Sequence, residues 1–159
     1  MKPTFAALSR AGLSRAALIA SVLAPGAIAL AAHAAEAAPA EDGVMLVATL
    51  SGEAEVPTGD PDATGSFTAH LDPKSDELCY ELIVSDFDPP TAAHIHVGPV
   101  GQNGGHVVVL DAPEDGSSNS CTTVAPDLAA KLIASPQDYY VNVHNEAYPA
   151  GGLRGQLSK

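Results

Sequence analysis

Apolar and polar residues alternate with a period of two through two consecutive stretches of this chain. Phe67, Ala69 and Leu71 stand against Ser66, Thr68 and His70, and Leu78, Tyr80, Leu82 and Val84 stand against Cys79, Glu81 and Ile83. Side chains on a strand point alternately to opposite faces, so the pattern predicts half-buried antiparallel strands over 66–71 and 78–84. Further strand candidates lie at 44–50, 92–97, 106–110, 139–144 and 153–157, separated by Gly, Pro, Asp and Asn clusters such as 57–62 and 101–105. One helix is expected, with Pro126 in its first turn, Leu128, Leu132 and Ile133 as its apolar stripe, and Ser135-Pro136 ending it. Short strands at this spacing imply an all-β fold: a Greek-key antiparallel β-sandwich, immunoglobulin-like or superoxide-dismutase-like, with one short helix. A parallel sheet would need several crossover helices. The chain has no tryptophan and only 4% aromatic residues, so the core must rest on Val, Leu, Ile and a few Phe and Tyr side chains.

The first 34 residues carry Lys2, Arg10 and Arg15 but no acid, then an Ala/Leu/Ile-rich run, and end on Ala32-His33-Ala34. This is the pattern of a secretory signal peptide with an A-x-A cleavage site, and Pro25-Gly26 interrupts the run that a membrane anchor would need. Residues 35–43 read as a flexible linker and 44–159 as one domain. About 120 residues are enough for one modest core and too few for two. All 19 acids lie after the leader, against the four remaining bases Lys74, Lys131, Arg154 and Lys159, which leaves a formal charge of −15. Such a surface repels phosphate backbones and anionic lipid, so neither nucleic acid nor a membrane is an expected partner of the mature protein. It attracts cations, and it also keeps an exported protein soluble.

Cys79 and Cys121 are the only cysteines. Export places them where disulfides persist, and the expectation is that they are bonded; the alternative, two buried thiols or soft metal ligands, lacks a Cys-x-x-Cys spacing.

Histidines converge on two short segments. In Ala93-His94-Ile95-His96-Val97-Gly98, strand geometry sets His94 and His96 on one face, about 6.6 Å apart along the strand. In Tyr140-Val141-Asn142-Val143-His144 a third histidine sits at the end of a candidate strand, and His106 follows the turn between the two segments. Imidazole suits copper and zinc, and three such ligands with an open position fit either. Hydrogen bonding of the same histidines to backbone carbonyls or to each other accounts for the cluster without a metal. Arg154 lies in Gly-Gly-Leu-Arg-Gly-Gln, where it can offer a planar fork to a carboxylate ligand or pair internally with Glu53 or Glu55. The loop acids Asp86, Asp88 and 111–115 have no EF-hand spacing.

Four segments together, 50–57 (LSGEAEVP), AHIHVG at 93–98, GGHVVVL at 104–110, and YVNVH at 140–144 followed by YPAGGLRGQL at 148–157, resemble the CHRD domain first described in chordin. The resemblance covers about residues 46–157 and implies an extracytoplasmic β-rich domain. It transfers no settled activity, and His70 and His106 fall where the family does not require histidine. A weaker similarity is to copper/zinc superoxide dismutase. It would make His94, His96 and His144 copper ligands, put His106 near the bridging histidine and give Arg154 an anion-guiding role. The long zinc loop of that family is missing between His96 and His106, and the cysteines fall elsewhere.

No Gly-x-Ser-x-Gly, His-Glu-x-x-His or phosphate-loop motif is present. The reading is therefore an exported CHRD-type module, secreted or periplasmic, that holds copper or zinc through His94, His96, His144 and His106. Its alternative is a non-catalytic module for an extracytoplasmic protein partner, and a dismutase-like redox enzyme stands third.

Overall fold

A computed structural model describes residues 43–159. The expected leader and all of the expected linker except Gly43 lie outside the described residues. Eight strands form: β1 (Val44–Ser51), β2 (Thr64–Leu71), β3 (Glu77–Ser85), β4 (Pro90–Val97), β5 (His106–Leu110), β6 (Ser117–Thr123), β7 (Tyr139–Asn145) and β8 (Leu153–Gln156). The helix α1 (Pro126–Ala134) and a 3-10 turn at Pro136–Asp138 lead into β7. Pro126 starts α1, where its missing N–H costs nothing, and Asp127 complements the positive end of the helix dipole. Ala129 and Leu132 are its buried residues, with Leu128 and Ile133 packed partly against the core.

All strands pair antiparallel in one continuous sheet of order β5-β4-β7-β8-β1-β2-β3-β6. The order β8-β1-β2-β3, with the last strand returned beside the first, is the Greek-key arrangement. The sheet curls so that both halves pack onto one core. Leu46, Leu50, Phe67, Leu71, Leu78 and Leu82 from one half meet Ile95, Val141, Val143 and Leu153 from the other. Phe67 and Tyr80 stack at 5.8 Å, and each fully buried side chain of this size contributes about 1.5–3 kcal/mol. The two rim strands are tied at one end. The Asp111 N–H, just past β5, donates to the Tyr80 hydroxyl at 2.7 Å, and Ser118 of β6 donates to the Asp111 carbonyl at 2.9 Å.

The seven strands anticipated from periodicity are all present. β6 was not anticipated, because its sequence SSNSCTT has no apolar alternation. Cys79 and Cys121 are bonded as expected, across directly opposed positions of β3 and β6.

Candidate metal centre

The half-sheet β5-β4-β7-β8 sends Ala93, Ile95, Val141, Val143 and Leu153 into the core, so the intervening residues share its outer face. Register lays these out as a grid. His106, His96, Tyr140 and Gln156 stand in one row, and His94, Asn142 and Arg154 in the next; His144 lies opposite Ala92. A register shift between Ile95 and His96 brings His106 opposite His96, a place that Val107 would otherwise take.

This face does not lie open to solvent. Glu55 from the β1–β2 loop is 5% exposed, and Asn142 and Arg154 are 2% and 1% exposed. Gly151, at φ +137°, lets its backbone press against Asn142 and Glu55, where a Cβ would stand 2.4 Å from Asn142 Nδ2.

Three imidazoles meet here. The ligand nitrogens of His94, His96 and His144 all fall within 4.8 Å of one another. His96 Nδ1–H donates to the Gly104 carbonyl at 2.8 Å and His144 Nδ1–H to the Pro149 carbonyl at 3.1 Å. Each bond fixes the tautomer, leaving Nε2 of both rings as a lone-pair donor. The His96 Nε2 is buried and has no partner, while His94 Nδ1 and His144 Nε2 stand 3.2 Å apart. Two nitrogens bound to one tetrahedral zinc at about 2.0–2.1 Å each would be about 3.3 Å apart. The donor set fits a metal, and carbonyl-anchored ring N–H groups are how ligating histidines are commonly oriented. His106 stands at the rim, exposed, its ring centred 5.2 Å from that of His94 and 6.2 Å from that of His96. His70 is on the outer face of β2, opposite Cys79 in register and in the other half of the sheet.

The cluster favours neutral imidazole. Burial, then the neighbouring His144, His96 and His106, pushes His94 down to about 4. Burial also lowers His96 and His144, overcoming the carbonyl bonds that would raise them. Neutral rings are the form that binds metal.

Arg154 is not held by Glu53, and its hydrogen bonds are spent on one loop. Its guanidinium donates to the carbonyls of Pro99 (2.9 Å) and Gln102 (3.0 Å) and to Asn103 Oδ1 (3.2 Å). It lies 3.5 Å from the centre of the Tyr140 ring, and that ring in turn stacks on His96 at 4.9 Å and 12°. β4 and β8 flank β7, so His96 and Arg154 approach Tyr140 from opposite sides. Glu55 feels the guanidinium charge, accepts hydrogen bonds from Asn142 Nδ2 and the Val56 N–H, and is nevertheless pushed upward by its burial. Tyr140, Asn142 and loop 98–104 entered sequence reasoning only through the family and turn segments, and none of them was given a part in the site. Their signal was the alternation in Tyr140-Val141-Asn142-Val143-His144, which marks a shared face but not its cover.

Comparison with known families matches the CHRD domain profile to residues 46–157, well over half the chain. The chain belongs to the CHRD-domain family. No curated protein and no solved structure gave a significant match. The CHRD domain therefore contains every strand described above except the first two residues of β1, together with the three histidines, Arg154 and the disulfide.

Proposed function

We propose that this CHRD-domain protein is an exported module of the periplasm or cell exterior that binds copper or zinc through His94, His96 and His144. One observation carries the reading: three imidazole nitrogens lie within 4.8 Å of one another, and backbone carbonyls hold two of the rings with Nε2 turned toward the site. His106 supplies a further imidazole at the rim. The disulfide supports an oxidising compartment, and no helix among the described residues is long and apolar enough to cross a membrane.

Titration of the purified chain with Cu(II) and Zn(II), followed by dialysis and metal analysis, tests the reading. One ion per chain is expected. His96→Ala should abolish stoichiometric binding without altering the circular dichroism of the fold. A chain that retains no metal and shows no histidine-dependent spectral change refutes it. The second reading, a protein-interaction module, is favoured by the exposed apolar side chains of Val97 on β4, Val100 in the loop after it and Val109 on β5.

A further inference from the structure

We infer that this centre selects monovalent copper over divalent ions, and that the Arg154 cation behind Tyr140 sets the preference. The inference rests on the metal-binding reading above and adds the identity of the ion.

Donor softness does not decide the matter, since imidazole serves copper and zinc alike. Charge and coordination number do. The three nitrogens that converge belong to neutral donors, and among the described residues no carboxylate or thiolate joins the group. Both cysteines are consumed by the disulfide. A divalent ion bound there would keep its full double charge in a half-buried setting. Arg154 adds to that cost. It lies on the Tyr140 ring at 3.5 Å, with His96 on the opposite side of the same ring at 4.9 Å. Its Coulomb repulsion acts on any cation at the His96 Nε2, and it is twice as large for a dication as for a monocation.

Among the described residues Glu55 is the one buried carboxylate, and its hydrogen bonds go to Asn142 and the Val56 N–H, not to the guanidinium. With three converging nitrogens, zinc would need water or the rim imidazole of His106 to complete its four-coordinate shell. A three-nitrogen centre meets the lower coordination demand of Cu(I).

Affinities of the purified chain measured under anaerobic conditions test this. Cu(I) is read by competition with bicinchoninate in the presence of ascorbate, and Zn(II) and Cu(II) by competition with chromophoric or aminocarboxylate chelators. The expected result is Cu(I) at least 100-fold tighter than Zn(II). Arg154→Gln should narrow that ratio at least tenfold by strengthening Zn(II) binding. Because Arg154 is a buried hub, a second variant carries the test if that one fails to fold. His106→Glu places an anionic donor at the exposed rim and should narrow the ratio by a similar factor. Zn(II) or Cu(II) bound as tightly as Cu(I), or a ratio unmoved in His106→Glu, overturns the inference while leaving a metal site in place. Wild-type chain that holds none of the three ions, and is indistinguishable from His96→Ala, overturns the metal reading itself.

Discussion

Replacing Gly104 with alanine should damage the His96 position without touching a histidine. A Cβ built on Gly104 stands 1.7 Å from the Val97 carbonyl oxygen and 3.4 Å from Val97 Cγ1. Ordinary contact begins near 3.4 Å, so loop and strand must separate by well over an ångström. The same residue holds the site: its carbonyl accepts from His96 Nδ1 at 2.8 Å, and its N–H donates to the Tyr140 hydroxyl at 3.3 Å. Moving it that far takes the first bond beyond the limit of about 3.2 Å for a useful N–H···O contact. With its orienting carbonyl lost, the centre should bind metal about 10–100-fold more weakly. Gly105→Ala is the matched control, since nothing lies within 4 Å of its added Cβ. Chelator competition and thermal melting of both variants make the comparison. Parent-like metal affinity in Gly104→Ala, at unchanged stability, would refute the claim that this carbonyl positions His96.

Three further outcomes are expected. In the metal-free protein, His94 lies near 4, and His96 and His144 also lie below the ordinary histidine value of 6.5. The unfolded chain then binds more protons over that interval, so stability should fall as the pH drops from about 6.5 toward 4, and these groups add no further loss below. Melting of His94→Ala should show a shallower decline across the same window. Glu55 has the opposite sign, because its folded value is raised. Its stabilisation is complete below about 4.5 and is lost as the pH rises through the folded value, so Glu55→Gln should lose less stability as the pH rises above about 4.5 and be no less stable at neutral pH by denaturant titration. Replacing both Cys79 and Cys121 with serine frees a loop of sequence separation 42 and should cost about 4 kcal/mol in the chain-entropy picture, read as a lower denaturant midpoint.

Strands with one buried face were legible from alternation, apolar runs and the turn clusters between them, and their ends fell within two residues of those found, as in 66–71 against β2 at Thr64–Leu71. β6 escaped because it is a rim strand, polar on both faces and with no fully buried residue, so no apolar period marks it. Its location was nevertheless implied by the expected bond from Cys121 to Cys79, which needs neighbouring backbones. His94 and His96 could be placed on one face from spacing, but the approach of His144 depends on the pairing of β4 with β7 across 50 residues, which no local pattern encodes. The cover over the site was invisible for a different reason. Alternating polar residues in β7 and β8 ordinarily signal a solvated face, and here loops fold back over it and bury Asn142 and Arg154.

The separation of the two histidine segments has a consequence for the order of events in the life of the molecule. His94 and His96 belong to a strand whose partner β7 is made only after β5, β6 and the helix, and Gly104 and Pro149, which aim two of the rings, come from loops on either side of that partner. A polypeptide still being threaded across a membrane, or clipped before residue 144, offers one His-x-His pair and no pocket. If the centre takes an ion as proposed, occupancy would report that β4, β7 and the loops beside them have closed around it.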